Sequence, residues 1–287
     1  MIKKAVIPAA GMGSRFLPAT KSMPKEMLPV VDKPVIHYVV EEAISSGIDD
    51  IIIITGRGKR AIEDYFDASP ELEQHLIKYE KYDLLNELRD ISSLADIHYI
   101  RQKEPMGLGD AILKAEKHVG DDPFAVLLGD DIIRSDEPSL KELINLYDKY
   151  HTIILALEEV NHSDIKKYGI ISGKEVSKGV YDIHNIVEKP DVDKAPSNIA
   201  VIGRYILTPQ IFDCIKKSKE TSTSGELQIA DAFEIFVRTN KIFGKILEGE
   251  RYDCGDKFGY IRTTIDFALA DPQLKDETKE YLKRCSD

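Results

Sequence analysis

KAVIPAAGMGSRFLPATKSMPK, from Lys4 to Lys25, opens on an apolar run and passes into a loop that carries Arg15, Lys21 and Lys25 but no acidic residue. The run Lys3–Pro8 reads as a buried β-strand, with Gly11 and Gly13 following at once. Glycines there let backbone N–H groups approach a phosphate, at the strand end where open α/β sheets bind their ligands. Two familiar phosphate loops do not fit. A Walker A loop needs GxxxxGK and then Ser or Thr, which is absent. A dinucleotide fingerprint needs a third glycine where Phe16 stands. Pro18 and Pro24 stiffen the segment, and a rigid basic loop over a sheet edge suits a polyphosphate. The alternative is an ordinary βα turn with three solvated cations.

The chain around this loop is acidic. Its 287 residues are 43% hydrophobic and 31% charged, and 50 acidic side chains against 39 basic ones give a formal net charge of −11. That balance argues against a polyanion-binding surface, so no nucleic-acid partner is expected. An anionic ligand instead needs a local reversal of the field, which the opening loop supplies. Cys214, Cys254 and Cys285 are odd in number and widely spaced, without a CxxC pair. A disulfide framework or thiolate zinc site is not expected, and a reducing cytoplasm is. The apolar runs are too short to span a bilayer and no signal-peptide pattern opens the chain, so no membrane partner is expected.

Beyond Pro34, Val35, Val39, Ala43 and Ile44 share one helical face, and Gly47 stands where a C-terminal cap belongs. DDIIIITG (49–56) is too uniformly apolar for a half-exposed strand and reads as buried on both faces. A charged helical region from Lys59 to Arg89, broken near Pro70, precedes a strand in DIHYIRQ (96–102). A helix from Gly109 to His118 follows, then PFAVLLGDD (123–131), a strand closing on carboxylates. This alternation predicts a Rossmann-like α/β fold, with a mixed, mostly parallel sheet flanked by helices. After TIILALEEV the pattern turns β-rich: strands over Tyr168–Ser177 and Gly179–Val187 meet at a Lys178-Gly179 turn, and NIAVIGRYIL is another strand. Helices return at Gln228–Arg238, Asp256–Ala270 and the C-terminus.

The N-terminal segment through VVEEA closely resembles the signature of sugar nucleotidyltransferases, and within them the bacterial-type enzymes that make UDP-glucose. RQKEPMGLGDAI, FAVLLGDD, YGII, VEKP, NIAVIGRYIL, SGELQIADA and YDCGDKFGY follow in the family's order across nearly the whole chain. The resemblance implies conversion of UTP and glucose 1-phosphate to UDP-glucose and pyrophosphate. It implies a single nucleotidyltransferase domain: a nucleotide-binding half over about 1–135, a sugar-phosphate-binding half over about 136–270, and a C-terminal helix over about 271–287. It also suggests a homodimer or homotetramer, with the helices of Lys59–Arg89 and the C-terminus as contact surfaces.

Both substrates are anions, so the site must neutralise charge, hold an in-line geometry and stabilise the leaving pyrophosphate. The resemblance makes Arg15 the residue on the β and γ phosphates and Lys25 the residue near the α-phosphate. It selects Asp130 and Asp253 as ligands of Mg²⁺, an oxygen-seeking cation, although Asp131 and Asp256 stand beside them as rivals. Gln102 and Gly107 should recognise the base, the amide offering a donor and an acceptor to the uracil edge. Ala9, Ala10, Gly11 and Gly13 should contact nucleotide. Lys189 should hold the sugar phosphate and Glu188 the sugar hydroxyls, with Gly169 and Glu226 on the sugar side.

Three residues depart from the family pattern. Ser14 replaces a usual threonine, Gly129 a proline and Asp110 a common histidine, the last placing an extra carboxylate beside the base-binding segment. Competing readings are a thymidylyltransferase using the same sugar phosphate and a non-catalytic nucleotide-sugar-binding module. The rivals of the latter class lose a charge-handling residue, whereas Arg15, Lys25, Asp130, Lys189 and Asp253 are all present.

Overall fold

The computed structural model describes residues 2–221 and 225–286, leaving Ser224 of the SGELQIADA motif outside the described residues. The chain runs β1 (Lys4–Pro8), β2 (Pro29–Val30), β3 (Lys33–Pro34), α1 (Val35–Ser45), β4 (Asp50–Thr55), α2 (Arg60–Phe66), α3 (Pro70–Lys78) and α4 (Tyr82–Ser92). It continues through β5 (Asp96–Arg101), α5 (Leu108–Lys114), α6 (Glu116–Val119), β6 (Phe124–Leu127), β7 (Asp131–Arg134), α7 (Ser139–Tyr150) and β8 (Ile153–Glu159). A hairpin of β9 (Gly169–Ser177) and β10 (Val180–Glu188) precedes β11 (Ile199–Leu207), α8 (Gln210–Thr221) and α9 (Ile229–Val237). Last come β12 (Ile242–Ile246), β13 (Glu250–Asp253), α10 (Lys257–Ala270) and α11 (Lys275–Ser286).

Nine strands form one sheet in the order β5-β4-β1-β6-β11-β8-β12-β10-β9. Pairing is parallel through β5-β4-β1-β6, antiparallel at β11 and parallel again between β8 and β12, so the sheet is mixed and its continuous parallel run lies in the first half. Strand periodicity explains the uniformly apolar sequences. In β4, Ile52 and Ile54 enter one buried cluster and Ile51 and Ile53 the other, because alternate side chains point to opposite faces. Helices α5, α8 and α9 cover the first face, while α1, α2 and α7 cover the second. Gly47, at φ 92°, ends α1 with paired bonds, Gly47 N–H to Ile44 O and Ile48 N–H to Ala43 O.

Several local expectations shift. The region Lys59–Arg89 is three helices: Pro70 starts α3, and Glu80, at φ 55°, makes a second break. The helix foreseen at Gly109–His118 divides into α5 and α6 at Ala115. The strand in PFAVLLGDD stops at Leu127, so its carboxylates sit in a turn that feeds β7, closed by Asp131 N–H to Leu128 O at 3.3 Å. At the far end of the sheet the β9–β10 hairpin curls back until Ile170 pairs with Ala200 of β11. Among the described residues, no helix is long and apolar enough to cross a membrane.

Candidate active site

Parallel pairing brings the carboxyl ends of β1, β4, β5 and β6 to one edge, and the opening loop lies over it. Gly13 takes the left-handed conformation (φ 65°) ahead of a 3-10 turn at Ser14–Phe16, and a Cβ there would meet Thr20 Cγ2 at 3.1 Å. Thr20 Oγ1 donates to Gly13 O at 2.7 Å, closing the loop on itself. Phe16, in the place of a third fingerprint glycine, is buried edge-on against Tyr260. The loop walls a cleft of 480 Å³ that gathers Ala10, Gly11, Gly13, Arg15, Lys25, Gln102, Gly107 and Asp130. Ala9 does not line it. Its N–H still belongs to the strand ladder, donating to Ile54 O at 2.9 Å, and its side chain is buried beneath the floor.

Lys25 and Asp130 form an ion pair inside the cleft. Burial alone would lower the Lys25 pKa, but the Asp130 carboxylate and then Glu26 outweigh it and raise it. Burial would likewise raise Asp130, and Lys25 holds it below the ordinary carboxylate value. A buried Lys59–Glu26 pair at 2.7 Å ties the Lys25 turn to the segment after β4.

Asp253 reaches the same place from more than one hundred residues away. Strand β13 pairs antiparallel with β7, setting Asp253 opposite Asp131, and Cys254 N–H donates to Asp130 O at 2.9 Å. Between the carboxylates lies Gly255. A Cβ on it would sit 2.7 Å from Asp130 Oδ2 and 2.8 Å from Asp253 Oδ1, so only glycine leaves that notch open. Arg15 closes the cleft from the other side, its Nη1 donating to Gly255 O at 3.4 Å.

The rival carboxylates have structural partners. Asp131 is buried, with Arg251 Nε donating to its Oδ2 at 2.9 Å and Gly203 N–H at 3.3 Å. Its burial pushes it up to about 6 in spite of Arg251 and Arg204. Asp256 caps α10, its Oδ1 accepting from Gly259 N–H at 2.9 Å.

Gln102 differs from expectation. Its Nε2 donates to Asp110 Oδ2 at 2.8 Å and to Gly107 O at 3.3 Å, which engages both amide hydrogens. Only the Oε1 acceptor remains for a ligand. Asp110 therefore fixes the orientation of the amide. Gly107 (φ 96°) also has a packing role: a Cβ there would lie 2.8 Å from Leu227 O.

A second pocket of 200 Å³ adjoins the cleft and shares Leu108 and Leu128 with it. Gly169, Glu188 and Lys189 line it, with Tyr168 and Gln228. Lys189 holds a left-handed backbone (φ 45°) and donates its N–H to Tyr168 O at 3.0 Å, while its Nζ pairs with Glu188 Oε1 at 3.0 Å. A non-glycine residue at such a φ stores strain. Glu226, expected on the sugar side, stands on the wall of the first cleft, at the join.

Gly255 and Arg251 are the residues that sequence reasoning passed over. Both lie inside RYDCGD, where the two aspartates drew the attention, and the signal was the glycine directly after an expected ligand.

The nucleotidyl transferase family profile matches residues 4–267. The UTP–glucose-1-phosphate uridylyltransferase of Bacillus subtilis (strain 168) is 49% identical over 282 residues, covering 98% of this chain and 96% of that protein. A crystal structure of UDP-glucose pyrophosphorylase complexed with UDP-glucose superposes with a TM-score of 0.86 at 46% identity, over 94% of this chain and 100% of that one. The UTP-bound enzyme from Acinetobacter baumannii gives a TM-score of 0.90 at 39% identity, over 98% and 99%. The chain belongs to the nucleotidyl transferase family.

Proposed function

We propose, with membership of this family as the premise, that the protein converts UTP and glucose 1-phosphate to UDP-glucose and pyrophosphate. An oxygen of the sugar phosphate attacks the α-phosphorus of UTP. The new P–O bond forms as the bond to the β-phosphate oxygen breaks, and pyrophosphate carries away the electron pair. No proton has to move, so the residues contribute charge and position. Arg15 is assigned to the β and γ phosphates, where its planar fork matches phosphate oxygens. Lys25 is assigned to the α-phosphate. Its raised pKa keeps it a fixed positive charge at neutral pH.

Gln102 Oε1 accepts from the uracil N3–H in this reading. Cytosine lacks that hydrogen, so the fixed amide selects UTP over CTP. Lys189 holds the phosphate of glucose 1-phosphate and Glu188 accepts from its hydroxyls. Gly169 gives the sugar room, since a Cβ there would meet Glu188 Oε2 at 3.2 Å.

Asp130 and Asp253 fit a Mg²⁺ ion: two carboxylate oxygens converge across a notch kept open by Gly255, an all-oxygen donor set. When bound, the ion supplies neutralisation of phosphate charge. Exposed Leu72, Ile77, Tyr79, Tyr82 and Leu84 on α3 and α4 and the loop between them support association of copies through that face.

The observation that carries the reading is the adjacency of two pockets, one bearing Arg15, Lys25 and Asp130 and the other Glu188 and Lys189. Initial rates with UTP and with dTTP, each with glucose 1-phosphate, test it. UTP should turn over faster; faster use of dTTP would reject the assignment, and nucleotide binding without pyrophosphate release would leave only a binding module.

A further inference from the structure

We propose that Asp50, His98 and His118 form a second cation site, selective for a borderline divalent metal such as Zn²⁺, at the edge of the sheet opposite the nucleotide cleft. Asp50 begins β4 and His98 lies near the start of β5, so both sit at the amino ends of parallel strands. The register pairs Ile52 with His98. Residues two apart on a strand share a face, which makes Asp50 and His98 diagonal neighbours on the face that α5 and α6 cover. His118, in the last turn of α6, descends onto them.

The three donors converge on a point. His118 Nε2 lies 3.3 Å from Asp50 Oδ1, and His98 Nε2 lies 3.9 Å from the same oxygen. The imidazole rings are 4.6 Å apart, and one ligand atom from each residue falls within 4.8 Å of the others. Bonds of about 2.0–2.1 Å in a tetrahedron place ligand atoms roughly 3.3 Å apart. The Asp50–His118 separation already has that value. His98 is half exposed and closes the remaining gap by a side-chain adjustment.

Two imidazoles and one carboxylate suit zinc and its neighbours, whereas magnesium takes oxygen ligands. The nearby cation is directed elsewhere: Lys4 Nζ donates to Val119 O at 3.0 Å and to Asp122 Oδ2 at 2.8 Å. Nothing in the proposed uridylyl transfer uses these residues. A bound ion would pin α6 to the edge strand and complete its coordination with water.

Cobalt(II) titration of the full chain, with excess Mg²⁺ present, reads the site directly. The expected result is a visible d–d absorption saturating at one Co²⁺ per chain, without thiolate charge transfer. Zn²⁺ should displace it. His98→Gln and His118→Gln should each weaken binding at least tenfold, and Asp130→Asn should titrate like the parent. Both histidine variants should retain the parent's near-ultraviolet dichroism and its Mg²⁺-dependent turnover, and Asp50→Asn provides a third route to the same loss. The proposal is overturned by absence of the band, by a His118→Gln band that saturates at the parent's cobalt concentration, by one lost in Asp130→Asn, or by a thiolate signature.

Discussion

Asp130 and Asp131 are consecutive residues with opposite environments. Asp130 faces the cleft, where Lys25 and the Gly255 notch surround it. Asp131 turns into the protein, where Arg251 and Gly203 N–H hold its carboxylate. Its backbone carbonyl accepts from Arg204 Nη2 at 2.7 Å, and that fully buried guanidinium is matched to Glu42. One carboxylate thus belongs to a buried network of ion pairs and its neighbour to a site with room for ligands. Charge type alone does not distinguish them. What does is whether the carboxylate turns into the buried ion pairs or toward the open cleft.

Substituting the pair one residue at a time breaks this contrast most sharply. Asp130→Asn should lower turnover by about 10²–10³-fold with little change in Tm, the size expected on losing one preorganised electrostatic group. Asp131→Asn removes the most buried carboxylate on Arg251, leaving Glu158 Oε2 at 3.2 Å, and should cost about 3 kcal/mol of stability. Thermal denaturation and steady-state rates on both variants decide it. If Asp131→Asn loses turnover with an unchanged Tm, the roles are reversed.

Gly255→Ala sharpens the metal side. The added methyl meets both carboxylates, and the Mg²⁺ concentration for half-maximal rate should rise on the order of tenfold or more. A smaller effect belongs to the second pocket. Lys189→Ala should raise KM for glucose 1-phosphate roughly tenfold while KM for UTP stays put; an unchanged value would return Lys189 to a turn residue. The smallest effect concerns the base. Asp110→Ala releases the Gln102 amide, and the UTP-over-CTP preference in kcat/KM should fall a few-fold.

The first half of the sheet was legible in the sequence because its inner strands β1, β4 and β6 are local, largely apolar runs such as Ile51–Ile54, buried on both faces. The family motifs marked most of the residues that line the two pockets. Less could be read where a partner arrives from far along the chain. The Arg251–Asp131 bond joins positions 120 apart, and no local pattern announces that β13 will pair with β7. Gln102 shows the same limit. Its residue type was legible, but its orientation depends on Asp110 eight positions on, across the β5–α5 turn. Helices α7 and α8 were passed over as well, lying between strands whose runs dominated the reading.

The most direct test is a crystal of the protein with UDP-glucose and Mg²⁺. The account predicts cation density between Asp130 and Asp253 over Gly255, uracil N3 against Gln102 Oε1, and glucose beside Glu188. Density for the nucleotide away from the Ala10–Lys25 loop, or a cation held by Asp131 in place of Asp130, would contradict it.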